Sequence, residues 1–103
     1  MDLNKMMQQA QKMQEEVARA QEEAANAIVE GSAGGGAVIV KATGAGKLTE
    51  IKIDPKAIDP DDPELLEDMI LAAVNEALRS AQALAQSKMT AATGLGGLGL
   101  PGL

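Results

Sequence analysis

The first thirty residues contain neither Gly nor Pro, and their apolar positions repeat every seven residues. One series is Leu3, Ala10, Val17 and Ala24, and the other is Met6, Met13, Ala20 and Ala27. All eight positions are apolar, which predicts an amphipathic, coiled-coil-like helix over Leu3–Ala25. The seam is narrow, because five of its eight residues are Ala or Val. Such a helix is ~35 Å long at ~1.5 Å per residue. The rest of so short a chain cannot cover that length, so part of the helix is expected to project.

The pattern then changes period. Ala27–Ser32 is a short strand candidate, and Gly34-Gly35-Gly36 follows as a turn free of side-chain restriction. Ala37–Thr43 is β-branched and partly alternating, the clearest strand in the chain. Gly44-Ala45-Gly46 makes a second tight turn into Lys47–Asp54, where Thr49, Ile51 and Ile53 alternate with Glu50, Lys52 and Asp54. Short turns between consecutive strands predict an antiparallel three-stranded meander. A loop with Pro55, Pro60 and Pro63 follows. Asp62-Pro63-Glu64 reads as an N-cap, a first-turn Pro and a first-turn acid, opening a helix from Pro63 to about Met89. Its apolar stripe is Leu66, Met69, Ile70, Ala73, Val74, Ala77, Leu78, Ala81 and Leu84, widened by Leu65 and Leu71. This helix is expected to pack on the sheet. The fold class is therefore α+β in the order α-β-β-β-α. Residues 1–90 form one domain, and residues 91–103 form a Gly/Leu-rich tail expected to be disordered.

Composition adds a constraint. The chain has 103 residues and no Phe, Tyr, Trp, Cys or His. Of its Ala, Leu, Ile, Val and Met residues, 19 are Ala, and four of the Leu sit in the tail. Burying a Leu or Val contributes ~1.5–3 kcal/mol, whereas ordering each backbone residue costs ~1–2 kcal/mol. A monomer on this inventory is marginal, which favours an oligomer. No apolar run approaches the ~18 residues of a membrane span. The N-terminus lacks a basic segment followed by an apolar one, so it is not read as a secretory signal. The expectation is a soluble, cytoplasmic chain.

The missing residue types exclude disulfides, thiolate nucleophiles, zinc fingers and imidazole bases. Gly44-Ala45-Gly46-Lys47-Leu48 imitates the end of a phosphate-binding loop, but Lys41 stands where the loop needs Gly and Leu48 where it needs Ser or Thr. Gly94, Gly96 and Gly99 match G-x-G-x-x-G without a preceding strand or following helix. Asp59, Asp61, Asp62 and Glu64 lack the spacing and Gly of a calcium loop and read as turn and cap residues. No catalytic residue, metal site or cofactor is expected, and the chain is read as a non-enzyme.

The net charge is −6, distributed as −3 over residues 1–30, +2 over 31–58 and −5 over 59–88. Within the acidic first segment, Lys5, Lys12 and Arg19 are seven apart and form one stripe away from the seam. Two readings fit. The stripe tracks phosphates, with Gln8, Gln9 and Gln11 adding uncharged hydrogen bonds. Alternatively it is a solvated face, its cations paired with Glu15 and Glu16 along the helix.

Several stretches together resemble the YbaB/EbfC family of small bacterial nucleoid-associated proteins. They are Met6–Glu15, the hairpin through Gly34-Gly35-Gly36, Ile51-Lys52-Ile53-Asp54-Pro55, and Leu65-Leu66-Glu67-Asp68 leading into Ala72-Ala73-Val74-Asn75-Glu76-Ala77. The I-x-I-D-P step followed by L-E-D-x-x-x-A-A-x-N-x-A is the specific part, and the resemblance spans about residues 3–90. It implies a tweezers-like homodimer with the first helices as arms, and binding to double-stranded DNA of the nucleoid. The candidate DNA-binding residues are then Lys5, Gln8, Lys12 and Arg19 on the arm. Lys41, Lys47, Lys52 and Lys56 form a second candidate surface. The alternative is a dimeric interaction module serving recombination or replication proteins.

Overall fold

A computed structural model describes residues 2–93 of the chain. Helix α1 spans Leu3–Asn26, and the carboxylate of Asp2 caps it by accepting from the Asn4 amide at 3.0 Å. Three strands follow, β1 (Ile28–Ala33), β2 (Val38–Thr43) and β3 (Leu48–Ile53). They form one antiparallel sheet in the order β1-β2-β3. The first hairpin turns through Gly34, Gly35 and Gly36, all at positive φ. After β3 a single 3-10 turn, Pro55–Ala57, is capped by Asp54. Helix α2 spans Pro63–Thr93, and Asp62 accepts from the Leu65 amide at 3.3 Å. The element order and the meander are those expected, with strand boundaries shifted by about one residue.

The second helix is longer than expected, ending at Thr93 instead of about Met89. The Thr90 hydroxyl donates to the Gln86 carbonyl at 2.9 Å, which satisfies it inside the helix. Ala91 and Ala92 have the highest helix propensity. The expected tail beyond Thr93 lies outside the described residues.

The core sits where α2 crosses the sheet. Val38, Val40 and Ala42 of β2 and Ala73 and Ala77 of α2 are fully buried, with Val29, Ala33, Ile53, Leu66, Met69, Ile70 and Val74 packed around them. Among the described residues, no fully buried side chain is larger than Val. The small residues permit a close approach. Gly31 of β1 lies directly beneath the α2 backbone, so a Cβ there would collide with the Ala73 carbonyl and the Ala77 amide. The Glu76 carboxylate accepts from the Ser32 amide at 3.4 Å on the same side. Helix α2 therefore lies over β1 and β2, and β3 is left largely uncovered.

One expectation about the sheet is corrected. Thr49 does not share a face with Ile51 and Ile53 through simple alternation. The register jumps from Lys41↔Glu50 to Ala42↔Leu48, so Thr49 is the extra, bulged residue of β3 and Leu48 stands opposite Ala42. The Thr49 hydroxyl donates to the Lys41 carbonyl at 3.3 Å. On the face opposite α2 the register places Glu30, Lys41 and Glu50 in one cross-strand row, with Ser32, half-buried Ile39 and Lys52 on one side of it and exposed Ile28 with Thr43 on the other. On the α2 side, Leu48 and Ile51 of the uncovered β3 are exposed.

Replacing Gly31 with Ala forces α2 off β1. Overpacking costs ~1–3 kcal/mol or more, so the melting temperature should fall by roughly 10 °C or more. Ser32→Ala, on the exposed face, should stay within ~0.5 kcal/mol of the parent. Thermal unfolding followed by circular dichroism measures both.

Candidate nucleic-acid interface

Helix α1 has an anchored base and a free arm. At the base, Ala20 and Ala24 are buried and Val17 is half-buried where α1 meets α2. Lys88 of α2 reaches Glu23 at 3.7 Å. The second hairpin closes the anchor from the other side. The Gly44 amide donates to the Ala27 carbonyl at 3.0 Å, and a Cβ on Gly44 would collide with the Ala24 carbonyl. Above this base every residue from Leu3 to Glu16 is exposed. That is ~21 Å of bare helix at ~1.5 Å per residue. The molecule is accordingly 72 Å in its longest dimension.

The arm carries two faces. At ~100° per residue the cation stripe lies about 130° from the seam. Lys5, Gln8, Gln9 and Lys12 line one shallow depression on the arm. Arg19 lies one heptad further down, in a groove with Glu16, Ala20, Glu23, Lys88 and Ala91 where α2 arrives. The structure therefore brings Lys5, Gln8 and Lys12 together and sets Arg19 at the junction. Among the described residues, the ion pairs are those of Lys41 with Glu30 and Glu50 and of Lys88 with Glu23. The pairings along α1 that would make Lys5, Lys12 and Arg19 a self-neutralised face are not formed.

The second candidate surface is divided. Lys41 stands between Glu30 at 3.9 Å and Glu50 at 3.6 Å, which occupy its charge. Lys52 lines a hollow with Gly36, Ile39, Ile53, Asp54 and Pro55. Lys47 sits in the β2–β3 turn, its amide donating to Thr43 Oγ1 at 3.3 Å. Lys56 lies in the turn beyond the other end of β3, its amide donating to Asp54 at 3.0 Å. Lys47 and Lys56 thus flank a six-residue strand, ~20 Å long at ~3.3 Å per residue. Other motifs keep ordinary roles. The Gly44–Lys47 segment is a hairpin turn, with the Thr43 amide donating to the Lys47 carbonyl at 2.8 Å. Asp59 and Asp62 serve turn and cap hydrogen bonds. The Lys88–Glu23 pair is not legible in the sequence, because the two residues are 65 apart in the chain and no local pattern links them.

Comparison with known proteins agrees with this architecture. Residues 1–97 match the YbaB/EbfC DNA-binding family. A nucleoid-associated protein of Saccharopolyspora erythraea is 51% identical over 109 residues, covering 99% of this chain and 94% of that protein. One from Streptomyces avermitilis is 53% identical, covering 99% and 91%. Among solved structures, the fold is similar to that of an uncharacterized protein from Helicobacter pylori, with TM-score 0.66 and 23% identity over 84% of this chain and 91% of that one.

The anchor is testable. Gly44→Ala should loosen the base of α1, because the new methyl displaces the Ala24 carbonyl. Limited trypsin digestion should then cut after Lys12 and Arg19 several-fold faster than in the parent, since cleavage follows local opening. Cleavage after Lys52 in the sheet should change less.

Proposed function

The chain belongs to the YbaB/EbfC DNA-binding family, and we propose that it is a non-enzymatic, homodimeric, nucleoid-associated protein that binds duplex DNA mainly through phosphates. The observation that carries the arm as the binding element is its bare cation stripe. Lys5 and Lys12 stand on an exposed helix with Gln8 and Gln9 between them, and among the described residues neither is held in an ion pair. Arg19 extends the stripe to the junction. The sheet is the weaker candidate, because Lys41 is already bridged by two carboxylates. The acidic second helix repels phosphate. Phosphate contacts fix position and carry no sequence information, and the chain has no aromatic to stack on a base. Binding is therefore weak and largely sequence-independent. No helix among the described residues is long and apolar enough to cross a membrane, and the working location is the nucleoid in the cytoplasm.

The dimer follows from the uncovered side of the sheet. Leu48 and Ile51 are 39% and 47% exposed on the α2 side of β3. Leu71 and Leu78 are 61% and 36% exposed on α2. At ~100° per residue these two leucines lie on the flank of α2 turned away from Glu76, and Glu76 marks the β1 side. The leucine flank and the β3 face together form an apolar recess at the open edge of the core. A second protomer covers it, and the dimer doubles the stripe to six cations.

Two measurements test this reading. Replacing Lys5, Lys12 and Arg19 with Gln should abolish the gel shift of a duplex while preserving helix content and dimer mass. For the parent, log K against log salt should fall with a slope of up to about −5 if all six cations neutralise phosphates. A parent that shifts no duplex at low salt favours the interaction-module alternative. Ile51→Lys should lower the sedimentation-equilibrium mass from twice 10.6 kDa towards 10.6 kDa. A folded Ile51→Lys protein that keeps the dimer mass places the interface elsewhere.

A further inference from the structure

The cation stripe leaves the other face of the arm unexplained. Leu3, Met6 and Met13 are 68%, 48% and 51% exposed on the same heptad seam whose lower part, Ala20 and Ala24, is buried against α2, with Val17 half-buried at the boundary and still facing the hollow. Around Ala10, Met13 and Val17 the seam forms a shallow hollow of about 460 Å³, bordered by Gln14, Ala18 and Gln21. We infer that this seam docks antiparallel on the same seam of a second copy, linking one dimer to the next, with the cations of both arms turned outward. The inference rests on the arm being the DNA-facing element.

Three observations carry it. The first is continuity: the exposed seam prolongs, in register, an interface the molecule already makes with α2. The second is shape. In an antiparallel pair, positions whose numbers sum to 23 share a layer, which sets Met6 against Val17 and Ala10 against Met13, and the reverse on the other side. Large residues then meet small ones in each layer, the arrangement that interdigitates best. A parallel pair sets Met6 on Met6, Ala10 on Ala10 and Met13 on Met13, alternately crowding and emptying the seam. The third is charge. The seam is flanked by Met7 and Gln14 on one side and by Gln9 and Glu16 on the other. The antiparallel layers bring Gln9 to Glu16 and Met7 to Gln14, so no like charges meet.

Geometry makes this a contact between dimers. The two-fold axis passes level with residues 11 and 12, so the two copies of Ala24 lie about 38 Å apart along the pair at ~1.5 Å per residue. The cores stand at opposite ends, and their β3 recesses cannot meet each other in the same pair. Each protomer then has two different self-complementary surfaces, and such a pair of surfaces builds an open chain of dimers. Four central layers make a weak contact in free solution. Dimers held on one duplex raise their effective concentration, so the contact forms there as cooperative coating.

The chain has no cysteine, so single thiols can be placed without background. Full-length Ala10→Cys and a mass-tagged Met13→Cys are mixed and treated with a short bismaleimide, with and without duplex DNA. The expected main product joins position 10 of one chain to position 13 of another. Its yield should rise with protein concentration and increase several-fold on duplex. Gln8→Cys, on the cation side, should cross-link far less. Products joining 13 to 13 in preference, or a yield no higher than that of Gln8→Cys, would overturn the inference. The DNA-free arm of the experiment reads the seam even if duplex binding fails. Gel shift and sedimentation of Met6→Gln with Met13→Gln separate the two: that variant should keep single-dimer mass and single-duplex binding but lose the cross-link when Ala10→Cys is added. Retention of the cross-link in that background also overturns the inference.

Discussion

The contact of α2 with Gly31 governs the rest of the molecule. Because β1 offers no Cβ there, the Ala73–Ala77 backbone settles directly on the strand and α2 is held over β1 and β2. One helix in that position cannot also cover β3. Leu48 and Ile51 are therefore left open on the same side of the sheet, along with the leucine flank of α2. The small core and the exposed recess have one cause: close packing of small residues gives a tight contact over a limited area. The same placement sends the far end of α2 past the sheet to meet the base of α1, where Lys88 reaches Glu23. Above that point α1 has nothing to lean on.

Much of this is legible in the chain. The heptad seam locates α1, and its length against a short chain already implies projection. Asp62-Pro63-Glu64 marks the start of α2, and β-branched Val38-Ile39-Val40 marks the central strand. What escapes the sequence depends on tertiary placement. The bulge at Lys41/Ala42 shifts the face of Leu48 and Thr49, and alternation alone cannot register it. Which face of the sheet stays open turns on where α2 lands, which Gly31 decides through a contact 42 and 46 residues away. The neutralisation of Lys41 is a property of register, because Glu30 and Glu50 become its neighbours only once the strands pair. On the arm, local spacing suffices to find the stripe. It leaves open whether the cations pair within the helix, which the side-chain arrangement answers.

An acidic protein that contacts a polyanion needs its charges separated in space. Here the carboxylates of α2 and its preceding loop belong to the core end, whereas Lys5 and Lys12 stand on bare helix well above it, where Asp2, Glu15 and Glu16 are the acids that remain. With a Debye length of ~8 Å at physiological salt, the acidic core is largely screened from a duplex lying on the arm. Net charge thus limits affinity and on-rate without forbidding contact. Absence of aromatics and a helix face of Lys and Gln suit a binder that holds many sites loosely.

On the proposed reading, DNA meets the arm and not the sheet. The most direct test is backbone amide NMR of the full chain titrated with a short duplex at low salt. Shifts should concentrate at Lys5, Gln8, Gln9, Lys12 and Arg19, with Glu30, Lys41 and Glu50 little changed. Shifts concentrated on β2 and β3, with the arm unmoved, would contradict it.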